Sequence, residues 1–215
     1  MSRTVESTLR PDVSPSLLDI TMDTTYANSY FAQRGVSEEV FRQFQLGHVA
    51  GAPGTLPKDI TGAPAFPIYT IDGLFAGWIF RPGNKDYKYF YWSARPSEQL
   101  YGMPFSIDGI LKNDAAIIVE GPFDVLMAHT GGQKNVVGVL GGVMSVTQIL
   151  LLGSYTRNFI LALDNDAAGL KGMNMSEELI KKVLPDVNIS RQFVFPHKDF
   201  CEYMTAEIKN GKPKG

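Results

Sequence analysis

The second half of this 215-residue chain predicts an α/β fold with a mainly parallel sheet and helices on both faces. Short, continuous apolar runs recur there, and segments with helical spacing of apolar residues separate them. The first half lacks this alternation and predicts a smaller, mixed α/β domain. We therefore expect an N-terminal tail over residues 1–22, the mixed domain over 23–112, and the parallel-sheet domain over 113–215, with a C-terminal helix.

The mixed domain should contain a short helix followed by a β-hairpin. Ser37 is a suitable N-cap, and the two glutamates after it suit the positive end of a helix dipole. Val40, Phe41 and Phe44 fall on one face of this helix, which Gly47 should end. Further along, Asp72-Gly73 separates two apolar runs, and this is a strong hairpin signal.

The second domain should alternate strands with helices. A strand followed by a helix and a further strand, repeated along the chain, indicates βαβ units. The strands are expected at Ala115–Val119, Val136–Leu140, Asn158–Leu163 and Ile189–Phe195, and the helices at Phe123–His129, Val146–Leu152 and Ala168–Val183.

Composition excludes several classes of protein. No apolar run is long enough to cross a membrane, and the N-terminus has no secretory signal, so a cytoplasmic protein is expected. The single cysteine, Cys201, excludes a disulfide framework and a cysteine-based zinc ribbon within this chain. The net charge is -2, so nucleic-acid binding would require a local basic patch, a bound metal or a partner chain.

Carboxylates follow three of the predicted strands. Glu120 and Asp124 follow the first, Asp164 and Asp166 the third, and Asp199 the last. Because parallel strands end at one edge of a sheet, we expect these acids to gather there. Oxygen ligands of this kind suit Mg²⁺, which takes one or two carboxylates together with substrate phosphates. Each motif alone is more often a turn or a helix cap; the combination favours a metal site.

These motifs resemble a known family. Glu120-Gly-Pro-Phe-Asp124 and Asp164-Asn-Asp-Ala-Ala-Gly169 are similar to the two signatures of the Toprim domain, which primases, topoisomerases and some nucleases share. The resemblance implies a divalent-metal and catalytic centre at Glu120, Asp164 and Asp166, with Asp124 and Asp199 as supporting metal ligands. The ion would be Mg²⁺ or Mn²⁺.

The upstream half resembles the RNA-polymerase core of DnaG-type bacterial and phage primases. The similar segments are Arg34 to Gly47, the basic stretch through Arg81 and Lys88, and Leu100-Tyr-Gly102. The resemblance implies RNA primer synthesis from nucleoside triphosphates on a single-stranded DNA template. The expected phosphate-binding residues are Arg34, Arg81, Lys88, Arg95 and Lys198.

The chain departs from the family in ways that bear on its partners. An aspartate usual after Asp199 is replaced by Cys201, and the chain contains neither the zinc ribbon nor the helicase-interacting part that such primases ordinarily carry. We therefore expect a separate zinc-ribbon protein or replicative helicase as partner, in a phage or mobile-element replication system. Two alternatives remain open, a Toprim nuclease and a non-catalytic replisome adaptor.

Overall fold

A computed structural model describes residues 20–51, 60–83 and 89–211. Lys88, one of the expected phosphate ligands, and most of the expected tail lie outside these residues. The chain divides into two compact units between Arg95 and Pro96. Among the described residues, no helix is long and apolar enough to cross a membrane.

The first unit is a five-stranded antiparallel sheet with strand order β1-β2-β3-β4-β5. Its strands are β1 (Thr21–Asp23), β2 (Gly47–Gly51), β3 (Pro64–Tyr69), β4 (Phe75–Phe80) and β5 (Phe90–Trp92). Two short helices, α1 (Tyr30–Gln33) and α2 (Glu38–Gln43), lie between β1 and β2. Because each strand pairs with the next in the chain, the sheet is built from local connections.

Two sequence predictions for this unit are confirmed. The hairpin forms between β3 and β4, with Gly73 at φ +79° in its turn. Helix α2 begins after Ser37, whose side chain accepts a hydrogen bond from the backbone N–H of Val40. Val40, Phe41 and Phe44 are buried at 1% exposure each, as the helical spacing predicts.

Three expected boundaries differ from the structure. Thr21 and Met22, expected in the tail, belong to β1, which pairs with β2. Gly47 was expected to end α2, but the helix ends at Gln43 and Gly47 begins β2, where an added Cβ would lie 2.8 Å from a backbone oxygen of Asp23. The break between the units precedes the expected boundary at residue 112, so helix α3 (Met103–Asn113) belongs to the second unit.

The second unit is a four-stranded parallel sheet with the order β7-β6-β8-β9. Its strands are β6 (Ala116–Val119), β7 (Val136–Gly138), β8 (Asn158–Leu161) and β9 (Asn188–Arg191). The helices after α3 are α4 (Pro122–Thr130), α5 (Val146–Gly153), α6 (Ala167–Val183) and α7 (Phe200–Lys209). The predicted alternation of strands and helices is therefore confirmed.

The connections place the helices on both faces of the sheet. The chain moves from β6 outward to β7, and then back across β6 to β8 and on to β9. Because such crossovers are right-handed, this reversal places α4 on one face and α5 and α6 on the other. The packing agrees, since α4 contacts α7 and α5 contacts α6.

Burial distinguishes the inner strand β6 from the edge strand β9. All four residues of the central strand β6 are buried, as expected for a strand covered on both faces. Strand β9 is polar and mostly exposed, as suits an edge strand. It ends at Arg191, four residues before the expected end at Phe195, so residues 192–199 form a separate segment after the strand.

Candidate active site at the carboxyl edge of the parallel sheet

The acidic motifs follow neighbouring strands at the same edge of the sheet. In the ladder, Ile118 of β6 pairs with Leu161 of β8, and Leu161 pairs with Arg191 of β9. Glu120 and Asp164 come two and three residues after this line. The topology therefore brings the beginnings of both motifs to one edge, as the sequence predicts.

Helix capping positions two of the acids. Asp166 is the N-cap of α6, and its carboxylate accepts from the Gly169 N–H at 2.9 Å. Asp199 is the N-cap of α7 and accepts from the Glu202 N–H at 2.8 Å. In both residues the oxygen that accepts this hydrogen bond is Oδ1. Capping thus orients these side chains at the edge of the sheet.

Asp124 connects two helices. It lies in the first turn of α4, is 7% exposed, and accepts hydrogen bonds at both carboxylate oxygens. Gly121 N–H donates to Oδ2, and Cys201 N–H at the start of α7 donates to Oδ1, each at 2.9 Å. One buried side chain therefore links the loop after β6 to the helix that Asp199 caps.

Asp124 has a raised pKa, to which two of the other acids contribute. Burial, together with the charges of Asp199 and Asp164, raises the pKa of Asp124 to about 7, against the lowering effect of the Gly121 and Cys201 N–H groups. Asp124, Asp164 and Asp199 thus form one interacting group of acids.

These acids do not form a complete cage for a metal ion. Within residues 20–51, 60–83 and 89–211, no group of three or more His, Cys, Asp or Glu side chains is arranged to hold one. Because the capping hydrogen bonds of Asp166 and Asp199 use Oδ1, each residue would bind a metal ion through Oδ2.

Asn165 holds the middle of the second motif in place. Its backbone N–H donates to the Lys198 carbonyl at 2.9 Å, and its side-chain amide donates to the His197 carbonyl at 2.8 Å. These bonds tie the loop carrying Asp164 and Asp166 to the segment before Asp199. Sequence reasoning gave Asn165 no role; its place between the two aspartates was the available signal.

In the first unit, the structure brings two of the expected phosphate ligands together. The guanidinium groups of Arg34 and Arg81 each lie 5.7 Å from the centre of the Tyr30 ring, and Arg81 lies equally far from the Tyr89 ring. Arg34 also donates to the Tyr30 hydroxyl at 3.1 Å. Both guanidinium groups therefore lie within cation–π range of the same aromatic ring.

The sequence analysis did not identify Tyr30 as part of this site. The four-residue spacing of Tyr30 and Arg34 was a usable signal, because side chains so spaced are neighbours on one helical turn. The contact with Arg81 had no signal in the sequence. Arg95 and Lys198, the other expected phosphate ligands in the described residues, are both exposed, with Arg95 in the first unit and Lys198 in the second.

Comparison with known proteins identifies the class of domain. Residues 114–192 match the model of the Toprim domain family. The chain is also similar to the DNA primase of Synechocystis, with 31% identity over 67% of this chain and 24% of that protein. The DNA primase of Campylobacter jejuni is 31% identical over 71% of this chain and 31% of its own length. The chain thus spans about a quarter to a third of these relatives.

Solved structures agree on the fold. The Aquifex aeolicus primase, with its zinc-binding and RNA polymerase domains, matches at a TM-score of 0.74 and 24% identity, over 86% of this chain and 53% of that one. A DnaG primase catalytic domain bound to single-stranded DNA matches at 0.68 and 21% identity, over 93% and 74%. Fold and acidic edge together define a Toprim-domain protein. The chain is similar to the DNA primases over the part of their length that it matches.

Proposed function

We propose that this chain is a primase core that joins nucleoside triphosphates into short RNA primers on single-stranded DNA. The observation that carries the proposal is the convergence of the two acidic motifs at one edge of the parallel sheet, with their loops held by Asn165 and Asp124. The similarity to primases extends well beyond the Toprim domain, reaching 86% of the chain for the Clostridium acetobutylicum primase. This extent favours a primase over a Toprim nuclease.

In this proposal, Glu120, Asp164 and Asp166 hold the metal and form the catalytic centre, and Asp199 supports them. The ion would be Mg²⁺ or Mn²⁺, which screens the charge of a triphosphate and favours attack by a hydroxyl. Asp124 acts as the second supporting acid, since both of its oxygens accept backbone N–H groups and thereby set the positions of α4 and α7. The protein's own contribution is then mainly positioning.

Basic residues would take up the phosphates of the nucleotide or the template. The pairing of Arg34 and Arg81 on Tyr30 supports this assignment, because it concentrates positive charge in a chain of net charge -2. Lys198 lies beside the acidic edge. Arg95 and Lys88 complete the proposed set on the basis of the family resemblance.

The proposal includes partners and a setting. A zinc-ribbon segment would have to come from outside the residues seen here, because the sequence has one cysteine. We place the protein in a phage or mobile-element replication system, acting in the bacterial cytoplasm or that of an infected host, with a zinc-ribbon protein or replicative helicase as partner. The solved Aquifex aeolicus primase contains a zinc-binding domain.

Incorporation of labelled ribonucleotides on single-stranded DNA tests the function. With Mn²⁺, and with or without a zinc-ribbon protein, the wild type should make short RNA, and Asp164→Asn should reduce synthesis at least about a hundredfold by removing a metal ligand. Asp108→Asn, an exposed acid on α3, is the matched control and should stay active. Degradation of the template in place of synthesis would indicate a nuclease.

A thermal-shift measurement tests the metal site independently of activity. Millimolar Mg²⁺ or Mn²⁺ should raise the Tm of the wild type, because an ion that binds only the native state stabilises it. The shift should be smaller in Asp164→Asn and unchanged in Asp108→Asn. Absence of both a shift and any synthesis would contradict the proposal and favour a non-catalytic adaptor.

A further inference from the structure

Two phenylalanines lie exposed in the segment between β9 and α7. Phe193 is 46% exposed and Phe195 is 72% exposed. Their ring centroids are 6.1 Å apart, and the planes are inclined by only 23°, so the rings are offset but nearly parallel. Exposed aromatic surface is costly in water, and contiguous exposed apolar surface can mark an interaction site.

The backbone that carries these rings is fixed. Between them Val194 is buried at 4% exposure, so the side chains alternate outward, inward and outward. Gln192 N–H donates to the Leu161 carbonyl of β8 at 2.8 Å, and His197 N–H donates to the Val194 carbonyl at 2.9 Å. Both rings are therefore presented from an anchored segment.

The same segment is bonded to the acidic motif. The carbonyls of His197 and Lys198 accept from Asn165, which stands between Asp164 and Asp166. Phe195 is thus two residues from a direct hydrogen bond to the proposed catalytic loop. A ligand lying on the rings would have a defined position relative to the acids.

We propose that Phe193 and Phe195 form a stacking platform for bases of the single-stranded template. The proposal rests on the function proposed above and names a part of its template site. Every nucleobase offers an aromatic face, so the contact would tolerate any sequence. Lys198, exposed three residues beyond Phe195, supplies a positive charge for the phosphate backbone.

The strength of stacking favours a strand over a free nucleotide. One base stacked on an aromatic side chain strengthens binding by about 5- to 150-fold. Alone, this would hold a free nucleotide with a Kd weaker than about 1 mM. The platform is therefore useful to a ligand that is also held elsewhere, as a strand is along its phosphates.

Binding of a fluorescent oligodeoxythymidylate tests the platform. In low salt, Phe195→Leu and the double variant with Phe193→Leu should bind at least about fivefold more weakly than wild type, while Phe195→Tyr should bind like wild type. Oligodeoxycytidylate should show the same pattern. Met175→Ala, which removes another exposed apolar side chain on α6, is the matched control and should not change binding. Unchanged circular dichroism would show that each variant is folded.

A direct readout of stacking comes from Phe195→Trp. Its fluorescence, after subtraction of the wild-type signal from Trp78 and Trp92, should be quenched by the oligonucleotide and far less by thymidine triphosphate at the same concentration. If the wild type binds the strand and makes RNA while the leucine variants bind equally well, the platform is refuted and the proposed function stands. Quenching of the tryptophan by thymidine triphosphate but not by the oligonucleotide would also refute the platform. A wild type that binds no single-stranded DNA would overturn both proposals.

Discussion

Replacement of Gly169 by alanine should disturb both stability and the acidic motif. Gly169 is the glycine of the second motif and lies in the first turn of α6. A Cβ at this position would lie 2.1 Å from the carbonyl oxygen of Asp164 and 2.8 Å from its carbonyl carbon. Real Cβ atoms essentially never approach closer than 3.0 Å, so helix and loop must separate by about 0.9 Å.

The magnitude follows from two opposing effects. Overpacking against a rigid neighbour costs about 1–3 kcal/mol, and we expect the upper end because the obstructing atoms are backbone. Alanine in place of glycine within a helix contributes at most about 1 kcal/mol in the opposite direction. Gly169→Ala should therefore lower the free energy of unfolding by about 2 kcal/mol.

Urea denaturation and primer synthesis together test this reasoning. Gly141→Ala is the matched control, because an added Cβ there meets nothing within 4 Å. The control should lie within about 0.5 kcal/mol of wild type or be slightly more stable. Under conditions where both variants are folded, Gly169→Ala should lose RNA synthesis because Asp164 is displaced. A Gly169→Ala protein as stable and active as the control would refute the steric argument.

Two further predictions concern buried polar groups in the second unit. Asp124→Asn should lower the free energy of unfolding by about 1–3 kcal/mol, as measured by urea titration. The side-chain NH2 of asparagine cannot accept a hydrogen bond, so one of the Gly121 and Cys201 N–H groups would lose its acceptor. Asp108→Asn should have no such effect. Burial, assisted by the Lys134 ammonium, lowers the pKa of His129 to about 3, so its ring stays neutral in the native state at pH values where the unfolded chain is protonated. The contribution of His129 to stability should be full above pH 6.5 and fall by up to about 1.4 kcal/mol per pH unit between 6.5 and 3. The slope of stability against pH should therefore differ between wild type and His129→Gln in this range, and identical slopes would contradict the assignment.

The sequence predicted the parallel sheet because its signals are local. Continuous apolar runs such as 116–119 and the helical spacing of 167–183 depend only on neighbours along the chain. The place of the acids also followed, since residues after parallel strands share an edge. The end of the last strand was wrong because Phe193 and Phe195 look like continued β structure in the sequence, whereas the ladder ends at Arg191.

The division between the two compact units lies before the expected domain boundary for a different reason. Met103–Asn113 would form a helix in either unit. Its sequence therefore does not show which unit it packs against. Its contacts with β7 place it in the second unit. Periodicity identifies an element, but only packing assigns it to a core.

By itself, the sequence determined the alternation of strands and helices in the second half, the position of each acidic motif in that alternation, and the resemblance to Toprim primases. Only the tertiary structure decided that Arg34 and Arg81 meet on Tyr30, that Asp124 links α4 to α7, and that two phenylalanines remain in solvent. The physical reason is that side-chain burial, pairing and pKa depend on atoms distant in the chain. Those atoms become neighbours only when the sheets and helices have packed.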